Sequence, residues 1–122
     1  MRLSEGAGKY RVEAALHATA EGYILHLLGG EKPHVGAVVI AQPRPSLTGD
    51  GSISCTTSSL PLLGHKDDLV AKPVAEAIAK ATGQTVVAIA GIHIENATAA
   101  ELDELQRNVE VLTAKLLREL EG

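Results

Sequence analysis

From Tyr10 onward apolar and polar positions alternate. Tyr10, Val12, Ala14, Leu16 and Ala18 fall on one face, and Arg11, Glu13, His17 and Thr19 on the other, which is the period of a strand with one wetter side. Glu21-Gly22 marks a turn, and Tyr23 to Leu28 returns as the second arm of a hairpin. Gly29-Gly30 breaks that run. After Pro33 a third strand, His34 to Ala41, carries the run Ala37-Val38-Val39-Ile40, which suits burial on both faces. Pro43, Pro45 and Gly49 predict a loop over Gln42 to Asp50, and Gly51 to Ser59 reads as a short fourth strand entering a polar loop. Residues 1 to 8, with two glycines and polar side chains, read as a flexible end.

The period then lengthens. Val70, Val74, Ala77, Ile78 and Ala81 recur at helical spacing, with Gly83 as the residue just past the end. Pro73 is awkward there: either the helix starts at Pro73, or Asp67 or Asp68 caps an earlier turn that Pro73 bends. Thr85 to Ile92 is a fifth, continuously apolar strand. Leu102, Leu105, Val109, Leu112, Leu116 and Leu120 form one stripe of a last helix, with Thr98 as N-cap and Glu101 completing a capping box.

The order β-β-β-β-α-β-α predicts an α+β domain over residues 9 to 122, a largely antiparallel sheet with two helices packed on it. Two helices cover one face, yet the third and fifth strands read as apolar on both. A second copy of the chain is the simplest cover, so the pattern predicts a homodimer.

Composition narrows the function. The chain has 122 residues, one domain's worth, and holds two Tyr, no Phe and no Trp, so the core is aliphatic and no aromatic platform for single-stranded nucleic acid exists. A formal charge of -4 without a basic stripe argues against nucleic acid. The lone Cys55 forms no internal disulfide, and the apolar runs are too short to cross a bilayer; a cytoplasmic, soluble protein is expected, with no membrane partner.

Chemistry concentrates in two loops. Gly64-His65-Lys66-Asp67-Asp68 packs a titratable ring, a cation and two carboxylates before a helix, whose N-terminus adds backbone donors for an anion. Plain capping by one Asp fits too, but explains neither His65 nor Lys66. The second loop, Gly91-Ile92-His93-Ile94-Glu95-Asn96, leaves a buried strand, a common place for binding residues; His93 also fits a structural role. If both loops share one end of the sheet, His65, Asp67, Asp68, His93, Glu95 and Asn96 line one pocket, with Lys66 beside it. No His pair has the i, i+4 spacing of a helical zinc site, no nucleophile elbow or phosphate-loop motif occurs, and Gly29 to Gly36 reads as a structural turn. An enzyme would use His65 as general base, oriented by Asp67 or Asp68; a plain assembly module would leave both loops structural and expose a patch such as Val111 and Leu117.

Three segments taken together resemble a known family: Gly29-Gly30-Glu31-Lys32-Pro33-His34-Val35-Gly36-Ala37, Gly64-His65-Lys66-Asp67-Asp68, and Ala90-Gly91-Ile92-His93 leading through Asn96-Ala97-Thr98. The chain is similar, from about Lys9 to Arg118, to the prenylated flavin chaperones, small accessory subunits of gallate-type decarboxylases. The resemblance implies a fold like the proteasome assembly chaperones, paired as a dimer. It further implies a non-catalytic maturation factor for a UbiD-type decarboxylase, with prenylated FMN as the cofactor handled. By that reading His65, Lys66, Asp67, Asp68 and His93 belong to the family's polar surface, with Lys66 and the helix N-terminus toward a phosphate.

Overall fold

The computed structural model describes residues 1–32, 34–62 and 67–121. Strands β1 (Arg2–Glu5), β2 (Val12–Ala18), β3 (Gly22–Gly30), β4 (Ala37–Pro45) and β5 (Ile53–Pro61) precede helix α1 (Asp68–Thr82), strand β6 (Thr85–His93) and helix α2 (Ala99–Glu121). They build one six-stranded sheet in the order β1-β2-β3-β6-β4-β5. The expected α+β class and the two helices stand, but the sheet is mixed: β6 runs parallel to β3, from Gly22↔Thr85 to Gly30↔His93, while its other neighbour β4 is antiparallel. Hairpin counting misses this because β6 arrives last in the chain and inserts between two strands already laid down.

Two further differences have local causes. Residues 1 to 8, read as a flexible end, include β1, which pairs Arg2–Glu5 with Val12–Ala15; a four-residue strand is too short to show a period. α2 ties that segment down, Lys115 Nζ donating to the Ser4 carbonyl and Asn108 Nδ2 to the Tyr10 carbonyl at 2.7 Å. β4, expected to end at Ala41, continues through Pro43 to Pro45. Beyond Ala41 it pairs with β5 alone, so a proline whose nitrogen faces the unpaired side removes no ladder bond.

Both helices pack on one face. Val12, Ala14 and Leu16 of β2, Leu25 and Leu27 of β3, Val39 and Ala41 of β4, and Val86, Ala88 and Ala90 of β6 meet Val74, Ile78, Leu105, Val109, Leu112 and Leu116 of the helices in one core cluster. Each such Leu, Ile or Val contributes about 1.5–3 kcal/mol by leaving water. α2 holds most of its predicted stripe inward, though Leu102 is exposed. Its capping box forms as the sequence predicts, Glu101 N–H donating to Thr98 Oγ1 at 3.1 Å and Thr98 N–H to Glu101 Oε1 at 3.0 Å. α1 begins at Asp68, not at Pro73, which stands inside the helix, and ends on left-handed Gly83, whose N–H reaches the Ala79 carbonyl.

Among the described residues the other face carries no helix. Alternation turns Ile24 of β3, Val38 and Ile40 of β4, Val87 and Ile89 of β6, and Leu60 of β5 toward it, with Ile24 and Leu60 exposed and the rest partly so. Of the two residues proposed for an apolar patch on α2, Val111 is exposed, whereas Leu117 packs against the core.

Candidate functional site

The strand order creates the site. Because β6 lies between β3 and β4, the connection from Gly30 to Ala37 must cross the carboxyl end of β6. The crossing is close: a Cβ on Gly91 would overlap the His34 carbonyl, and one on Gly30, at φ +77°, the His93 carbonyl. His93 C=O in turn accepts Glu31 N–H at 2.7 Å, and Ala90 C=O accepts Gly36 N–H at 2.8 Å, stapling the crossing to the strand. Glycine is needed at Gly91 for close approach, and at Gly30 for its left-handed φ as well.

Asp67 arrives at the same place from the other side. Its carboxylate is not a helix cap, although its own carbonyl accepts Val70 and Ala71 N–H in the first turn of α1. The side chain, 6% exposed, reaches across to β6, where Oδ1 accepts the Ile92 N–H at 2.9 Å. β4 pairs with β6 only as far as Ala37↔Ala90, with Gly36 N–H one step beyond, so Asp67 supplies an acceptor where the ladder has run out. Its Oδ2 lies 3.0 Å from His34 Nε2, and the other ring nitrogen of His34, Nδ1, donates to the Lys32 carbonyl at 2.8 Å. A Cβ on Gly36 would overlap Asp67 Oδ2, so a third glycine makes room for this pair.

The His34 ring stands edge-on to His93, centroids 6.1 Å apart at 73°. His93 Nε2 lies 3.0 Å from Glu95 Oε2, and Lys32 Nζ 3.8 Å from the same oxygen. The His93 hydrogen bond first, and the Lys32 charge second, hold the Glu95 carboxyl below its ordinary range. That outer pair is solvent-exposed and worth little to stability. Asn96, exposed and left-handed at φ 50°, turns the chain from this cluster into α2.

Of the residues the sequence singled out, Asp67, His93 and Glu95 therefore share one end of the sheet, and Asn96 adjoins them. His65 and Lys66 lie outside the described residues, as does the Asp68 side chain. The sequence reading missed Lys32 and His34, taking Gly29 to Gly36 as a structural turn. The signal was Gly30, Gly36 and Gly91 flanking two histidines, a set that marks close backbone approach only once the strand order is known.

Elsewhere the chemistry is sparse. Among the described residues no group of three or more His, Cys, Asp and Glu side chains is placed to hold a metal ion. Burial, and then the nearby Glu76 charge, pushes the Cys55 thiol up, away from the reactive thiolate. A cleft of about 360 Å³ at the β4–β5 hairpin tip is lined by Pro43, Arg44, Pro45 and Ile53 and holds none of the predicted site residues. Among the described residues no helix is long and apolar enough to cross a membrane.

Comparison with known proteins agrees with the family resemblance. No curated protein matches the chain. A family model described as the prenylated flavin chaperone LpdD-like domain matches residues 6–121. An α+β domain with a polar cluster where two parallel strands end, matched over nearly all its length, places the chain in a family: it belongs to the prenylated flavin chaperone LpdD-like proteins.

Proposed function

We propose that this protein holds prenylated FMN at the carboxyl ends of β3 and β6 and passes it to a UbiD-type decarboxylase, without catalysing a reaction itself. The observation that carries the reading is the convergence of Lys32, His34, Asp67, His93 and Glu95 from three separate segments onto one end of the sheet. Ligands of sheets with parallel strands gather at the strands' carboxyl ends, where loops diverge. His65, Lys66, Asp68 and Asn96 complete the proposed site: Lys66 and the first turn of α1 take the phosphate, and the histidines donate to it or to the ring edge. The chain offers no Phe or Trp for stacking, so the isoalloxazine and its prenyl-derived ring lie on aliphatic groups. The helix-free face beside His93, with Val38, Ile89 and Leu28, is of that kind.

A homodimer, of the sort a proteasome-assembly-chaperone-like fold would form, is part of the proposal. Ile24, Ile40 and Val87 bring apolar side chains to the uncovered face, and a second copy removes them from water. The setting is cytoplasmic.

The test is co-expression with a prenylated-flavin synthase, followed by native mass spectrometry and absorbance. The expected species is a dimer carrying a stoichiometric flavin chromophore, lost on His93→Gln or Lys66→Ala. A colourless protein that still binds the apo-decarboxylase would remove the cofactor site and leave a client-binding role. A monomer at micromolar concentration, unaltered by Val87→Lys, would remove the dimer.

A further inference from the structure

His34 sits deeper in the cluster than His93, with its side chain 22% exposed against 40%. Both of its ring nitrogens face oxygen: Nδ1 the Lys32 carbonyl at 2.8 Å, Nε2 the Asp67 carboxylate at 3.0 Å. A carbonyl and an ionised carboxylate are both acceptors only, so the two bonds exist together when a proton sits between Nε2 and Oδ2. Ring and carboxylate then form one hydrogen-bonded unit around a carboxylate as enclosed as that of Asp67. The unit is also central: Asp67 grips the end of β6 through the Ile92 N–H, and the His34 ring abuts His93 edge-on. The other titratable groups near it, among the described residues, are His93, Glu95 and Lys32.

We propose that His34 is the positioning residue of this site, using a proton shared with Asp67 to fix the β3–β4 crossing, the entry to α1 and the His93 ring in one arrangement. The inference rests on the cofactor reading for what the site binds, but not for how it is held. His34 touches its neighbours, and through them sets the direction in which His93 offers its ring to a ligand. Loss of the ring removes the Nε2–Oδ2 contact with Asp67 and the edge contact with His93 together.

The experiment combines imidazole NMR of ¹⁵N-histidine-labelled apo-protein with flavin titration, using prenylated FMN made enzymatically, for wild type, His34→Gln, His34→Asn and Asp67→Asn. In wild type the His34 spectrum should show a proton on the Asp67-facing nitrogen, lost in Asp67→Asn, and His93 ring resonances should move in every variant. Gln carries an amide able to approach the Nε2 position, whereas Asn reaches only the Nδ1 position. Affinity should therefore fall about tenfold with Asn, the scale of one charge-assisted hydrogen bond, and by less with Gln. A bare Nε2 facing Asp67, or His93 resonances and affinity unchanged in folded His34→Asn, would overturn the positioning role. Wild-type protein that binds no flavin but shows the shared proton and the moving His93 signals would refute the cofactor reading while supporting the positioning role.

Discussion

Replacing Gly91 by Ala tests how the site is built with one methyl group. Gly91 lies outside the left-handed region, so alanine meets no backbone strain there, and the added Cβ collides with a backbone atom, the His34 carbonyl, which cannot rotate away. Overpacking of this kind costs about 1–3 kcal/mol. Alanine also narrows the unfolded ensemble, which returns about 0.4–1 kcal/mol, so the net loss reaches about 2.6 kcal/mol. With an unfolding entropy of about 2.1 cal/mol/K per residue, the melting temperature should fall, by up to roughly 10 °C. Thermal unfolding followed by circular dichroism, at one fixed protein concentration, reads the shift. Gly49→Ala is the control: its φ of +71° is strained for alanine but nothing lies within 4 Å, so it should lose stability without moving the His34 or His93 resonances. A Gly91→Ala protein melting at or above wild type would refute the claim that His34 is seated on the strand.

Other expectations concern the frame around the site. Leu112→Ala, at a fully enclosed position of α2, should cost about 2–5 kcal/mol in urea unfolding, because the helix and sheet cannot close the gap. Asn108→Ala should cost about 1–3 kcal/mol by leaving the Tyr10 carbonyl without its donor, and should raise hydrogen exchange in β1. Glu101 has its carboxyl lowered to about 2, first by the Lys9 ammonium and then by the Thr98 N–H. A depressed acid stabilises the fold above its unfolded value, roughly pH 4.3, and that stability is lost as pH falls through about 2. Glu101→Gln should therefore flatten the acid limb of the stability profile across that window while leaving the capping box an acceptor.

The helices were legible because their signals are local. Thr98, Glu101 and the leucines of α2 lie within one continuous stretch, and each reports the same helix. Gly83 likewise needs only its own turn to be recognised. The sheet order was not legible, since nothing in Thr85 to His93 says which neighbours it will have; an apolar run fits a parallel or an antiparallel slot between two strands. The site followed the same division. His93 and Asp67 stand out as polar residues at element ends, whereas His34 looks like part of a turn until β6 is seen to pass beneath it. Asp67 also illustrates how a residue suited to capping takes another role when a better donor, the Ile92 N–H, comes within reach.

The late insertion of β6 has a consequence for biosynthesis. A ribosome that has made β1 to β5 and α1 has released every residue of the crossing over β6, yet none of it has anything to cross. Tyr23 waits for Val86, His34 for Gly91, and Asp67 for the Ile92 N–H. Pairings between such distant parts of a chain form slowly, after local helices and hairpins. The polar end of the sheet thus comes into being with the last strand. Under the function proposed above, cofactor capture would depend on completed folding, and a truncated chain lacking β6 would hold no flavin.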